Sequence, residues 1–264
     1  MDPGEAARVV SGAQIELQHK LHVLTKKEEL DGVRVQGKVV VVLDILFATT
    51  TMVAALANGA REIVPVLDEA AARACGAGIA DCVLAGELYA ETLPGFAHPA
   101  PLALIEHGVR GKTVVYSTTN GTVAMTQAAG AARVYCGALL NAERLVEHIL
   151  ARHAGETVMI LCSGSGNNFN YEDFYGAGCY VDHFSRRMAN IDLSDAARAA
   201  RDLFRNARLP DALLECRVGA MMVKRGLRRE VEYACRVDSL PVVTALEGDR
   251  VRLISDSAPG ARPG

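Results

Sequence analysis

The feature that most constrains the fold is a run of five apolar residues, Val39 to Leu43, between Lys38 and Asp44. Four of the five are valines, which favour an extended backbone because their side chains are restricted in helices. The run shows no alternation, so both faces of the strand should be buried, as in a parallel sheet covered by helices. It is far shorter than the roughly 20 residues needed to cross a bilayer. We therefore expect residues 37–46 to form a central strand of an α/β sheet.

The rest of the chain alternates between short apolar runs and segments rich in helix-forming residues. This alternation predicts a three-layer α/β/α fold around a largely parallel or mixed sheet. Further strands are expected at 15–23, 62–67, 81–86, 113–116, 133–136 and 157–162, and helices at 48–60, 68–78, 102–107, 122–129, 142–153 and 172–188. After residue 190 the pattern changes to helices over 194–207 and 211–224, followed by closing strands over 231–237 and 242–254. We expect residues 1–264 to form a single unit, or two closely packed lobes: a site-bearing part over about 14–190 and a C-terminal part over 191–256.

Composition argues against several classes of protein. The net charge is −3 over 264 residues, so a nucleic-acid-binding surface is not expected. The 7 cysteines are odd in number and show no C-x-x-C spacing, which argues against a disulfide framework and a zinc site. The N-terminus lacks the basic and apolar regions of a signal peptide. We expect a cytoplasmic enzyme with a small-molecule substrate and no membrane partner, and the alanine-rich helices over 194–224 leave homo-oligomerisation open.

Ligands of α/β sheets bind beyond the carboxyl ends of the strands, and the first polar segment in such a place begins at Asp44. Thr49, Thr50 and Thr51 then open the next helix. A buried carboxylate is costly unless it is paired or binds a metal, and the free N–H groups of a helix start suit an anion. The alternative interpretation is a helix cap beside a surface aspartate.

Two more strand ends lead into loops of hydroxyl, amide and glycine residues. The segment Ser117 to Thr122 could direct several donors at phosphate oxygens, although a plain helix cap would need only one of its residues. The segment Cys162 to Asn168 contains two glycines that permit close backbone approach, and it leads to Glu172 and Asp173. This acidic pair either favours the dipole of the helix that it begins or ligates Mg²⁺.

Three further residues are candidates for catalysis. Glu87 follows a glycine at a strand end and could bind a metal or act as a general base. His98 lies in a proline-rich loop, where a solvated surface histidine is the alternative. Cys162 could be a nucleophile if the next helix lowered its pKa, but the pattern favours a buried structural cysteine.

Several short motifs follow one another along the chain between residues 37 and 185. They are Val42-Leu43-Asp44-Ile45-Leu46, Ala48-Thr49-Thr50-Thr51, Ala54–Ala60, Gly86-Glu87, Pro94-Gly95-Phe96, Gly111–Val115, Thr118–Thr122, Leu140-Asn141-Ala142, and Glu172-Asp173 with Ala177-Gly178. Each motif alone is weak, whereas the ordered set is specific. Taken together, the chain resembles the 2-phosphosulfolactate phosphatase family.

This resemblance implies a Mg²⁺-dependent phosphatase that acts on a small phosphorylated sulfonate acid. It implies metal-binding or acid–base roles for Asp44, Glu87 and Asp173, beside which Glu172 is a further candidate metal ligand. It also implies an anion cradle of Thr49, Thr50, Thr118, Thr119, Asn120 and Gly121. Further substrate-binding candidates are Phe47, Leu88, Ser163 and Gly164.

The chain departs from the family at two positions, since family members typically carry Arg where this chain has Phe47 and Leu88. Arg is the preferred bidentate partner of phosphate, sulfonate and carboxylate groups, and one charge-assisted bond contributes about 1.5–3 kcal/mol. Phe47 offers an apolar wall instead. We therefore expect a phosphatase with a changed substrate, a small phosphorylated organic acid or alcohol. The alternatives are a lyase or cyclase of specialised metabolism that uses Glu87, His98 or Cys162, and a non-catalytic binding protein.

Overall fold

The computed structural model of the protein describes residues 21–33 and 35–255. Within them, ten strands form one sheet in the order β1-β8-β2-β7-β9-β10-β3-β6-β4-β5. The strands are β1 Leu21–Leu24, β2 Val39–Leu43, β3 Glu62–Val66, β4 Cys82–Leu88, β5 Glu91–Thr92, β6 Thr113–Ser117, β7 Arg133–Gly137, β8 Val158–Cys162, β9 Thr244–Glu247 and β10 Arg250–Leu253. The expected central strand is confirmed, because every residue of β2 is fully buried between β8 and β7. Of the expected strand over 15–23, residues 15–20 lie outside the described residues.

Two parallel halves make up most of the sheet. Strands β1, β8, β2 and β7 pair in parallel, as do β3, β6 and β4. The hairpin β9–β10 lies between the halves and pairs antiparallel with β7 and with β3. The two halves therefore run in opposite directions within the sheet, and residues near strand ends of both halves line one cavity.

Helices cover both faces of the sheet, and the expected three-layer α/β/α fold is confirmed. Val41 and Leu43 point into a core shared with α5 to α10, whereas Val40 and Val42 point into a second core shared with α1, α3 and α4. The helices are α1 Ala48–Ala57, α2 Glu69–Ala77, α3 Pro101–His107, α4 Gly121–Gln127, α5 Ala142–Arg152, α6 Tyr171–Arg187, α7 Asp195–Asn206, α8 Asp211–Glu215, α9 Arg217–Lys224 and α10 Arg228–Ala234.

Two expectations for the C-terminal part are wrong. The segment 231–237 is not a strand, because residues 228–234 form α10 with Val231 and Ala234 buried three positions apart on one helical face. The single helix expected over 211–224 is divided into α8 and α9 at Cys216, whose extended backbone and thiol cap the start of α9. This division places Arg217 at the first position of a new helix, which matters for the site.

The apolar face of α7 packs within the chain. A Cβ atom on Gly178 of α6 would lie 2.0 Å from the carbonyl oxygen of Ala200, so only glycine permits this approach of the two helices. Ala197 and Ala200 are fully buried there. Among the described residues, none of the helices is both long enough and apolar enough to cross a membrane.

Candidate active site

A cavity of about 360 Å³ opens where strand ends of both halves meet α9. Some of the residues that line it are more than 70 positions apart in the sequence. Of the predicted site residues, the cavity wall contains Asp44, Phe47, Glu87, His98, Thr118, Thr119 and Asn120.

Asp44 leaves β2 and turns the chain into α1. Its Oδ1 accepts a hydrogen bond from the Ala48 N–H at 3.3 Å. The hydroxyl of Thr49 donates to the Asp44 carbonyl oxygen at 3.0 Å, and that of Thr50 donates to the Ile45 carbonyl oxygen at 2.9 Å. These two hydroxyls brace the turn and are fully buried outside the cavity wall, so the structure does not bring them to the place where an anion would bind.

The Asp44 carboxyl group is easier to protonate than an ordinary aspartate. Burial raises its pKa to about 7, and the nearby Glu172 and Glu87 carboxylates act in the same direction. The hydrogen bond from Ala48 and the positive charge of Lys27 lower the pKa only in part. A carboxyl group that titrates near neutrality can exchange a proton under physiological conditions.

Glu87 organises the polar turn after β6. Its Oε1 accepts the backbone N–H of Thr119 at 2.7 Å, and its Oε2 accepts the backbone N–H of Ala90 at 2.5 Å. The Thr118 and Thr122 hydroxyl oxygens each accept the backbone N–H of the other residue, at 3.3 and 3.2 Å. The carboxylate thereby ties β4 to the turn over 118–122 at the cavity.

Lys27 orients Asn120 and was not predicted. Its side chain is buried, and its ammonium group donates to the Asn120 Oδ1 at 3.1 Å and to the Ser163 carbonyl oxygen at 3.3 Å, and it lies 3.2 Å from Glu28. Because Oδ1 accepts from Lys27, the Nδ2 group of Asn120 is left to donate. The sequence gave no indication of this contact, since Lys27 lies 93 positions from Asn120 in a segment rich in Lys and Glu, which is typical of an exposed surface.

His98 lies on the cavity wall, and one of its ring nitrogens already accepts a hydrogen bond. The Ala100 backbone N–H donates to Nδ1 at 3.1 Å, so the neutral ring carries its proton on Nε2. His98 therefore has a donor for a ligand.

Asp173 and Glu172 lie behind the cavity rather than on its wall. Asp173 is 1 % exposed, and its two oxygens accept the backbone N–H groups of Ile45 at 2.8 Å and Gly164 at 3.1 Å. Burial and the negative charge of Asp44 raise its pKa well above the usual range. Glu172 accepts a bond from the Cys216 thiol at 3.4 Å. The geometry gives Asp173 a role in joining β2 to the loop before α6, while its predicted catalytic role stays a prediction.

The other predicted residues also lie off the cavity wall. Cys162 is fully buried, and burial raises its pKa well above the ordinary thiol range, which disfavours a nucleophile. Ser163 is equally buried, and its Oγ has no hydrogen-bond partner among the described residues. Gly121 packs directly against Asp44, whereas Leu88 points to solvent and its neighbour Tyr89 lines the cavity instead.

Helix α9 supplies the part of the wall that the sequence analysis missed. Val218, Met221 and Met222 line the cavity from one helical face, together with Leu227 beyond the helix. Arg217 adds a guanidinium group, whose Nη2 donates to the Ser165 Oγ at 2.7 Å and to the Asn170 Oδ1 at 2.9 Å. A cation therefore reaches the cavity although Phe47 and Leu88 replace the two arginines of the resemblance.

The donor set at the cavity suits a hard cation. Over 21–33 and 35–255, no group of three or more His, Cys, Asp or Glu side chains is arranged to hold a metal ion. Mg²⁺, however, is usually held by one or two carboxylates together with waters and substrate phosphate oxygens. Asp44 and Glu87 supply such a pair on one cavity wall, and the repulsion between them favours a cation there.

The fold and the cavity define an α/β protein with acidic and hydroxyl-bearing strand ends around a small-molecule site. A model of the 2-phosphosulpholactate phosphatase family matches residues 24–249, and the chain belongs to this family. A probable 2-phosphosulfolactate phosphatase of Symbiobacterium thermophilum is 36% identical over 223 residues, which cover 83% of this chain and 95% of the relative. Proteins described in the same words from Carboxydothermus hydrogenoformans and Deinococcus radiodurans are 33% and 35% identical, over 90% and 81% of this chain and 98% and 90% of the relatives.

Proposed function

We propose that the protein is a Mg²⁺-dependent phosphatase that hydrolyses a small phosphorylated organic acid or alcohol different from phosphosulfolactate. The observation that supports this most directly is the meeting of Asp44, Glu87 and the turn over 118–120 in one cavity of about 360 Å³. Membership of the 2-phosphosulfolactate phosphatase family supports a phosphoric monoester hydrolase. The changed substrate follows from Phe47, which lines the cavity where the family typically carries Arg.

Asp44 and Glu87 are the carboxylates that would hold Mg²⁺ and activate water. A Mg²⁺ ion bound there would neutralise charge on the phosphoryl oxygens. One carboxylate of this pair can take the proton of an attacking water. Asn120 Nδ2, held by Lys27, would donate to a non-bridging phosphoryl oxygen. As the ester P–O bond breaks, the Nε2–H of His98 can donate a hydrogen bond to the leaving oxygen, which takes its proton from water.

Phosphate release from a panel of small phosphoesters, with Mg²⁺ and with EDTA, tests this function. We expect Mg²⁺-dependent release from some member of the panel and loss of release in Asp44→Asn. Glu106→Gln is the control, because this exposed α3 carboxylate does not line the cavity. A protein that releases phosphate from no member, or that works equally well in EDTA, would contradict the proposal.

The second candidate is a lyase or cyclase on the same scaffold, and the position of His98 on the cavity wall favours keeping it. Such an enzyme would use His98 and Glu87 for proton transfer without a phosphoryl group. His98→Ala separates the two candidates. A phosphatase should keep measurable phosphate release, because other groups hold the phosphoryl oxygens, whereas an enzyme built on His98 should lose turnover.

A further inference from the structure

The cavity wall is chemically divided in a way that the proposed phosphatase reaction does not require. One part carries the acidic and hydroxyl groups of β2, β4 and the turn over 118–120. A second part, formed by α9, Phe47 and Leu227, is apolar apart from Arg217 and the loop residues that hold it. A phosphoryl group and Mg²⁺ would use only the first part.

The guanidinium of Arg217 is free to bind an anion. Both hydrogen bonds of its Nη2 are made to neutral oxygens, those of Ser165 and Asn170. The charge of Arg217 acts on the buried Glu172, whose pKa it lowers against the opposing effect of burial, but among the described residues no carboxylate forms a salt bridge with the guanidinium. Arg225, in contrast, lies 2.9 Å from Glu91. Arg217 also stands in the first turn of α9, where a positive charge is unfavourable for the helix dipole. Helix stability therefore does not explain its position.

The hydrogen bonds that hold Arg217 orient its guanidinium for binding a planar anion. Ser165 and Asn170 also bond to each other at 2.9 Å, so the guanidinium is held by a connected pair. A guanidinium held in this way presents its remaining N–H donors with little loss of side-chain entropy, and its fork matches a carboxylate.

The apolar part of the wall lies beside this cation, which is itself exposed. Val218 and Met222 are buried, while Phe47, Met221 and Leu227 are half-buried at the cavity. Methionine side chains adapt to irregular shapes, and the Phe47 ring offers a flat face. These side chains would leave a sulfonate without a partner but would cover a hydrocarbon group.

We propose that the substrate is the phosphate monoester of a hydroxy acid with an apolar side chain, and that Arg217 binds its carboxylate while Phe47 and the α9 face cover its hydrocarbon part. This inference rests on the proposed phosphatase function. It makes Arg217 and Phe47 the residues that determine specificity, in a cavity whose hydrolytic groups lie on β2, β4 and the turn over 118–120.

Four probes separate the contributions of the carboxylate and the hydrocarbon group. They are 2-phospho-3-phenyllactate, 2-phenylethyl phosphate, which lacks the carboxylate, 2-phosphoglycolate, which lacks the hydrocarbon group, and 2-phosphosulfolactate. We expect kcat/KM to be highest for the first. In Arg217→Met, kcat/KM for 2-phospho-3-phenyllactate and for 2-phosphoglycolate should fall about 10- to 150-fold, which is the range for the loss of one charge-assisted hydrogen bond. Hydrolysis of 2-phenylethyl phosphate should change less than about threefold.

Equal losses on all four probes would overturn the proposal, because Arg217 would then bind the phosphoryl group or only tie the loop over 165–170 to α9. Phe47→Arg is the reciprocal variant. It should improve 2-phosphosulfolactate and impair 2-phospho-3-phenyllactate, and the reverse result would also overturn the proposal.

Calorimetric binding of the phosphonate analogues distinguishes failure of this inference from failure of the proposed function. If no probe is hydrolysed but Arg217→Met weakens only the carboxylated phosphonates, the phosphatase function is wrong and the binding assignment stands. If hydrolysis occurs but the variant weakens every phosphonate equally, the phosphatase function stands and the binding assignment is wrong.

Discussion

The contact between Gly121 and Asp44 predicts that one added methyl group will damage the site. A Cβ atom on Gly121 would lie 2.4 Å from the Ala48 Cβ and 2.7 Å from the Asp44 Oδ2. The first of these distances is about 1 Å shorter than ordinary contact, which begins near 3.4 Å. Gly121→Ala must therefore push the start of α4 away from α1, or displace the Asp44 carboxylate.

Overpacking of this kind costs about 1–3 kcal/mol. For a domain of this size, each kcal/mol lowers Tm by about 2–4 °C, so Gly121→Ala should melt about 2–12 °C below the wild type. The turn over 118–120 must move with α4, and a displacement of about 1 Å in a reacting geometry can lower the rate about 100-fold. Phosphate release should be measured well below both Tm values, so that unfolding does not contribute.

Two further variants test the cause. In Gly78→Ala the nearest atom is the Cys75 carbonyl oxygen at an ordinary 3.8 Å, so Tm and rate should stay close to the wild type. Ala48→Gly should restore part of the stability when combined with Gly121→Ala, because it removes the closer of the two contacts. Wild-type stability and rate in Gly121→Ala alone would refute the close approach of α4 to Asp44.

Four other residues give direct tests. Burial raises the pKa of Asp44 from 3.8 to about 7, so the free energy of unfolding of the wild type falls as the pH rises through this range in EDTA. Asp44→Asn does not titrate there, and its stability relative to the wild type should therefore increase between pH 4 and 8. A difference in the free energy of urea unfolding that stays constant over this pH range would contradict this. Lys27→Met frees the Asn120 amide and should raise KM for phosphoesters about tenfold with little change in Tm, whereas loss of folding would assign Lys27 a structural role. Asp173→Asn turns an NH₂ group towards a buried backbone N–H and should cost about 1–3 kcal/mol in urea unfolding, with or without Mg²⁺; a loss seen only with Mg²⁺ would make Asp173 a metal ligand. Ser163→Ala removes an unpartnered buried hydroxyl and should be neutral or stabilising, so a loss above about 1 kcal/mol would show that Oγ has a partner.

The sequence by itself determined the central strand and the strand ends from which candidate site residues come. The run Val39 to Leu43 is apolar at every position, and burial on both faces of a strand is the arrangement that satisfies such a run. Asp44 and the turn over 118–120 follow strands in the chain and Glu87 lies near the end of β4, so the rule that ligands bind at carboxyl ends could select them.

The sequence was less informative where local patterns are compatible with two structures. Residues 231–237 contain two valines, a tyrosine and an alanine, which suit a strand as well as one face of a helix. Tertiary contacts favour the helix over the strand, because the buried Glu230 of α10 accepts hydrogen bonds from the backbone N–H groups of Leu102 and Ala103 at 2.8 and 3.0 Å. A strand pattern in the sequence contains no information about such a long-range partner.

Only the tertiary structure decided which polar groups face the cavity and which support it. Thr50 and Asp173 look like ligands in the sequence, yet their polar atoms are committed to backbone groups. Lys27 and Arg217 showed no motif, yet packing of their segments against the strand ends brings one to Asn120 and the other to the cavity wall. Side-chain direction, burial and the resulting pKa of Asp44 depend on groups far apart in the chain, and local sequence cannot encode them separately from the fold.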